Sequence, residues 1–199
     1  MTAFLIVLLG SYLLGSFPTG FLLVKWLTRV DLRTVGSGNI GATNVGRVAG
    51  RWASALVFML DAVKGALPVV IVPSLLDSLP PAAGLACGLA AVLGHNFPVF
   101  LNFKGGKGVA TTIGVLLAAA PPAGVVYLAV WGASLLIWRY VSVSSMAAAA
   151  SIPITLLMRH HAPADVLLGG ALALLIVLRH RANIDRLRQG TEPRVGRRR

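Results

Sequence analysis

Lys104-Gly105-Gly106-Lys107-Gly108 sets two compact positive charges among backbone N–H groups that carry no side-chain cover. Gly94-His95 precedes it, and an apolar, helix-like run begins at Val109. Glycine amides and ammonium groups ahead of a helix are a means of holding phosphate. A second polar stretch, Ser37 to Arg47, offers hydroxyls at Ser37 and Thr43, amides at Asn39 and Asn44, glycines at 38, 41 and 46, and one guanidinium. That set suits an anion-binding nest with Arg47 as a two-pronged phosphate ligand. It would also serve as a flexible polar link between two apolar segments. Ser142, Ser144 and Ser145 follow Arg139, either as helix caps or as hydroxyl donors. His180 and Asn183 stand three apart, so on a helix they share a face.

Spacing excludes the obvious nucleotide motifs. Gly36 to Gly41 matches G-x-G-x-x-G in form, without the strand and crossover helix that motif requires. A Walker A loop needs glycine where Leu101 stands and Ser or Thr where Gly108 stands. Asp185 is the only carboxylate in the polar stretches considered, which disfavours a magnesium–nucleotide site. His160 to Asp165 forms an H-x4-D pattern like that of the soluble-type glycerolipid acyltransferases, but it lies apart from every basic stretch. With no third ligand near His160 and His161, and Cys87 as the single cysteine, no metal site is expected.

The elements that must hold these stretches are apolar. The chain has 199 residues, 56% hydrophobic and 12% charged, with a mean hydropathy of +0.81. A soluble domain carries about 25% charged residues, so these values describe an integral membrane protein. The formal net charge of +12 follows membrane topology and does not call for a nucleic-acid partner. The first apolar segment has neither a basic n-region nor a small-residue cleavage site, and it reads as a retained helix.

Seven apolar segments are expected, at about 3–24, 53–76, 82–93, 109–120, 123–138, 146–158 and 165–178. Several fall below the ~20 residues of a full span, as half-helices or re-entrant pieces around a wet pocket do. The expected fold is therefore an all-α polytopic membrane protein with about seven transmembrane helices, some short or re-entrant. Asp61 and Lys64 interrupt the second segment three residues apart, on one helix face, and are expected to pair toward the protein interior. When the crossings alternate, all of the 18 Lys and Arg except Lys64 and Arg159 fall on one side. The positive-inside rule makes that side cytoplasmic. The N-terminus is then outside, the C-terminus inside, and all four polar stretches meet the cytoplasm.

Ser37-Gly38-Asn39-Ile40-Gly41-Ala42-Thr43-Asn44, Gly94-His95 through Thr111, Ser142 to Ser145, and His180-Arg181-Ala182-Asn183-Ile184 together resemble the PlsY family. These are the bacterial acyl-phosphate:glycerol-3-phosphate acyltransferases. The similarity covers almost the whole chain in the expected order, and the basic extension from Arg194 to Arg199 looks peculiar to this chain. The resemblance implies one integral membrane acyltransferase domain over residues 1–193, followed by a basic cytoplasmic tail, 194–199. It implies a bacterial inner-membrane enzyme with its active site facing the cytoplasm. Such an enzyme moves a fatty acyl group from acyl phosphate to the 1-hydroxyl of sn-glycerol 3-phosphate. Lysophosphatidic acid and phosphate result, the first step of phospholipid synthesis, with no cofactor or metal and no covalent enzyme intermediate.

The residues suit that chemistry. Acyl phosphate is a mixed anhydride with a good leaving group already in place, so the task is to hold two phosphates and aim one hydroxyl. On this resemblance, Ser37 and Arg47 bind the glycerol 3-phosphate phosphate with Lys107 and Ser145 as further contacts, Ser142 is substrate-binding, and His180 and Asn183 position the glycerol hydroxyls. Lys104, His95, Gly105, Gly106 and Gly108 handle the acyl-phosphate end, and Asn39, Gly41, Thr43 and Asn44 shape the first loop. The competing class is an organophosphate transporter or channel. That would need polar groups on both faces and often repeated halves, whereas the expected outer loops are short and nearly uncharged and no repeat is seen.

Overall fold

The computed structural model describes residues 2–75, 79–80 and 82–196, and it is helical without a strand among them. The helices are α1 (Thr2–Ser16), α2 (Thr19–Thr28), α3 (Ala42–Leu75), α4 (Ala83–Asn96), α5 (Val109–Ala119), α6 (Pro121–Trp138), α7 (Val141–Met158), α8 (Pro163–Arg179) and α9 (Arg181–Arg188). They fall into two compact units, Met1–Ala119 and Ala120–Arg199. Five stretches are long and apolar enough to span a membrane, and α8 with α9, bent by 52°, makes a sixth if counted as one. The remaining apolar helix, α5, has 11 residues. At 1.5 Å per residue it is about 16 Å long, about half a hydrocarbon core. Each expected apolar segment overlaps one of these elements, with residue 76 outside the described residues, but five or six stretches rather than seven are long and apolar enough to span.

In the first unit, Pro18 separates α1 from α2, because it has no N–H to continue the helix. The two still form one apolar stretch, Thr2–Thr28. Gly50, at φ 87° and ψ 174°, breaks α3 into a short leading piece and a long apolar piece. That break leaves residues 42–49 to belong to the first polar loop. Helices meet here backbone to backbone. A Cβ on Gly65 would run into the Thr111 backbone and one on Gly114 into the Ala62 backbone, so α3 and α5 approach as closely as glycine allows. Gly15 and Gly94 do the same for α1 and α4, against Ala91 and Tyr12.

In the second unit, Pro121 and Pro122 open α6 at positions where their missing N–H groups cost nothing. Arg139, in the left-handed region at φ 60°, closes it. Helix α7 begins at Val141, five residues before the apolar run that announces it. Its early serines return their hydroxyls to the backbone one turn back, Ser144 Oγ to Tyr140 O at 2.9 Å and Ser145 Oγ to Val141 O at 2.8 Å. A helix start can therefore be polar without a loop. The chain after α9 is tied to the α6–α7 corner, with Val195 N donating to Arg139 O at 2.8 Å and the Arg194 guanidinium 5.3 Å from the Tyr140 ring centre. Large apolar side chains face outward, Leu136 at 82% and Leu167 at 75% exposure among them. Lipid accepts such a surface and water does not.

Candidate active site

The first polar loop is built by its own side chains. Asp31 accepts Arg33 N at 2.9 Å and pairs with the Arg33 guanidinium at 2.7 Å. The Arg33 hydrogen bonds pull the Asp31 carboxyl down to about 2. Gly36 and Gly38 turn through left-handed conformations, φ 62° and 68°. Asn44, buried in the first turn of α3, reaches back over the turn. Its Oδ1 accepts Ser37 N at 2.9 Å, and its Nδ2 donates to Val35 O at 3.1 Å and Leu32 O at 3.3 Å. Asn39 Oδ1 accepts Gly41 N at 2.9 Å, an Asx-type turn. Asn39 and Asn44 thus hold the loop's shape, while Ser37, Thr43 and Arg47 are exposed on it.

The Lys104–Gly108 loop folds back on the end of α4. Tyr12 Oη donates to Phe97 O at 2.7 Å, pinning the first residue past α4. Gly106 N donates to His95 O at 3.0 Å. A Cβ on Gly105 would run into His95 O and the Pro98 ring, and one on Gly106 into the His95 imidazole. Gly108 stands at φ 78°, and a Cβ there would lie 2.8 Å from Asn96 Oδ1. The glycines are thus required by close approach to α4. Lys104 is exposed and Lys107 half-buried. His95 is buried, with Nδ1 3.5 Å from Asp61 Oδ1.

The base of the first loop reaches the entry to the second. Leu32, Ile40 and Val45 from the first, and Leu101 from just before the second, pack in one buried cluster with Val24, Ala53 and Val57. The first loop thus shares its apolar base with Leu101, three residues before Lys104, while Gly105, Gly106 and Gly108 themselves lie against the end of α4.

In the second unit the organising group is Glu192, the one glutamate of the chain. Its Oε1 accepts Ser142 Oγ at 2.7 Å and Asn183 Nδ2 at 2.7 Å, and its Oε2 accepts Arg186 Nε at 2.8 Å. Ser142 and Asn183 are thereby brought together. Ser145 is turned toward its own helix and receives Trp131 Nε1 at 3.3 Å. His180 sits buried at the α8–α9 bend with Nδ1 2.7 Å from Ile176 O, a contact that favours the Nδ1–H tautomer. Sequence reasoning missed Glu192. The available signal was a lone carboxylate in a basic tail. His161 Nδ1 lies 3.6 Å from Asp165 Oδ2, a local contact one helical turn long.

Burial raises the Glu192 carboxyl, but the hydrogen bonds from Ser142, Asn183 and Arg186 outweigh it and hold the group below its ordinary value of 4.5. A depressed carboxyl contributes stability that is complete above that ordinary value and lost as pH falls through the lowered one. Thermal melts in detergent should therefore fall on acidification below pH 4.5. Glu192→Gln should melt earlier than the parent at neutral pH and lose that part of the acid dependence. A variant with the parent's melting point at neutral pH would show that the carboxylate does not hold Ser142 and Asn183.

Residues 5–190 match the family model described as glycerol-3-phosphate acyltransferase. A glycerol-3-phosphate acyltransferase of Myxococcus xanthus is 50% identical over 189 residues, 95% of this chain and 97% of that protein. One from Geotalea daltonii is 47% identical over 192 residues, 96% of this chain and 97% of that protein. The crystal structure of PlsY, an integral membrane glycerol 3-phosphate acyltransferase, in its glycerol 3-phosphate form superimposes with a TM-score of 0.90 at 42% identity, covering 97% of this chain and 96% of that one. Its lysophosphatidic acid form gives 0.87 at 41%, with 97% and 95% covered. With two glycine-bearing cationic loops in an apolar helical chain and a match that runs nearly end to end, the chain belongs to the glycerol-3-phosphate acyltransferase family.

Proposed function

We propose that this protein moves a fatty acyl group from acyl phosphate to the 1-hydroxyl of sn-glycerol 3-phosphate. The observation that carries the proposal is the buried apolar cluster that joins the Ser37–Arg47 loop to Leu101, at the entry to the Lys104–Gly108 loop. Relatives characterised in glycerol 3-phosphate and lysophosphatidic acid forms support the acceptor and the product. They weigh against the transporter alternative.

The glycerol O1 attacks the acyl carbonyl carbon, a C–O bond forms, and the C–O bond to phosphate breaks with inorganic phosphate leaving. A phosphate oxygen or a histidine takes the hydroxyl proton. No enzyme nucleophile is needed, because the mixed anhydride is already activated. Two phosphates together bring roughly −3 to −4 of charge, which Arg47, Lys104 and Lys107 offset with the loop amides. Ser37 and Arg47, with Lys107, take the acceptor's phosphate. Lys104, His95, Gly105, Gly106 and Gly108 serve the acyl-phosphate end. In the second unit His180 and Asn183 orient glycerol hydroxyls, and Ser142 and Ser145 are further substrate contacts once their hydroxyls turn from Glu192 and from Val141 O. An apolar groove rewards the acyl tail with about 0.8 kcal/mol per buried CH₂. The distribution of Lys and Arg supports a cytoplasm-facing site in the bacterial inner membrane, with the N-terminus outside. Residues 1–193 act as one catalytic domain and 194–199 as a basic tail.

Purified protein in detergent should release phosphate from a long-chain acyl phosphate only when glycerol 3-phosphate is present, with lysophosphatidic acid formed one for one. Detergent abolishes transport but leaves this chemistry intact. Absence of product, or phosphate release without lysophosphatidic acid, would overturn the proposal.

A further inference from the structure

Asp61 lies buried in α3 at 2% exposure, with Lys64 at 5% and His95 at 5% around it. Its Oδ1 is the meeting point of three groups. Thr19 Oγ1 donates to it at 2.6 Å, Lys64 Nζ approaches at 2.8 Å, and His95 Nδ1 stands at 3.5 Å. Lys64 Nζ also donates at 2.9 Å to Phe17 O, a carbonyl beside the α1–α2 break. A carboxylate and an ammonium at this depth offset each other's charge, which a membrane interior requires. The bland account ends there, with an ion pair that staples α3 to the break between α1 and α2.

The histidine adds something the staple does not need. One edge of the His95 ring faces Asp61, and the Nε2 edge packs against Gly106, close enough that a Cβ on Gly106 would collide with it. The His95 carbonyl also accepts Gly106 N at 3.0 Å. His95 therefore links Asp61 of α3 to the Lys104–Gly108 loop. A carboxylate opposite Nδ1 favours the tautomer with the proton on Nδ1 and directs the Nε2 lone pair at the loop. The 3.5 Å separation is longer than a formed N–H···O bond. Catalytic hydrogen bonds are often this loose before substrate closes the site.

We propose that Asp61 is a positioning residue of the acyl-transfer site, fixing the tautomer and rotation of His95 and through it the shape of the Lys104–Gly108 loop. The inference rests on the acyltransferase reading above. Asp61 does not touch substrate. Thr19 and Lys64 hold the carboxylate, the carboxylate holds the imidazole, and the imidazole supports the turn that carries Lys104 and Lys107.

Two measurements test this. Histidine ¹⁵N NMR on the unmodified protein in detergent, with His95→Asn to assign the signal, should show His95 neutral with its proton on Nδ1. The Nε2–H tautomer, or a ring protonated on both nitrogens, would overturn the proposal whether or not any variant folds. The second measurement is kinetic. Asp61→Asn combined with Lys64→Met removes both buried charges together, so no unpaired ion is left behind. That double variant should keep the parent's melting point and its KM for glycerol 3-phosphate within about twofold, while kcat falls about 10–100-fold, the size of loss seen when a metal-bound histidine loses its orienting carboxylate. Added to His95→Asn, it should cost little more, because both changes break one linkage. A double variant with the parent's kcat, or losses that multiply with His95→Asn, would leave only the staple. If the parent itself transfers no acyl group, the acyltransferase reading falls, and the tautomer measurement still decides whether Asp61 orients His95.

Discussion

Lys107→Ala protein should fold and insert like the parent, yet lose about 10²–10³-fold in kcat/KM for glycerol 3-phosphate, the size of effect seen when one charge-stabilising donor is removed. Lys107 is half-buried between the buried residues Gly106 and Gly108. If its ammonium meets the acceptor's phosphate as proposed, the half-buried setting makes that ion pair worth more than one in bulk water. Lys104 is exposed, so Lys104→Ala should cost less, about tenfold, with most of the loss recovered at low salt where surface charge counts for more. Lys107→Arg should rescue poorly. A planar guanidinium needs room that a loop packed on α4 does not offer. Steady-state kinetics in detergent, with glycerol 3-phosphate varied at saturating acyl phosphate, separates the two lysines. Retained transfer in Lys107→Ala with unchanged glycerol 3-phosphate affinity would remove this residue from the phosphate clamp.

What could be read in the chain beforehand depended on how local each feature is. Helix placement was legible because lipid imposes apolar runs, and even the short α5 shows as one, whereas the number of full spans, five or six against an expected seven, was not. The Asp61–Lys64 pair was legible because a spacing of three on a helix is a purely local geometry. The contact of Asp61 with His95 was not, since it joins residues of different helices at no fixed spacing. Glu192 was hidden for the same reason, as its partner Ser142 lies 50 residues away. Ser142 and Ser145 read as helix caps or hydroxyl donors because they break the apolar pattern, whereas both lie inside α7 and the Ser145 hydroxyl serves the helix backbone. The order and spacing of the polar stretches carried the family likeness, and with it the function, because phosphate binding requires residue types that an apolar protein has no other reason to keep.

Gly106→Ala should be nearly as damaging as the loss of Lys107, for a steric reason that the sequence cannot display. Glycine in this loop can be read as bare amide for phosphate, but Gly106 N already donates to His95 O, and the missing Cβ is what lets the loop lie on the imidazole. The added methyl meets a ring that has nowhere to retreat, since His95 is 5% exposed and faces Asp61 across its other edge. The loop must move instead, carrying Lys107 with it. A displacement of about 1 Å costs about 10²-fold where two reactants must be aligned, so kcat/KM should fall by about that factor. The alternative is that alanine acts by stiffening the backbone, and a double-mutant cycle with His95→Ala discriminates the two. If the clash is the cause, shrinking the ring returns the space, and the double variant should be about as active as His95→Ala alone. Losses that multiply would show that Gly106 acts independently of the imidazole.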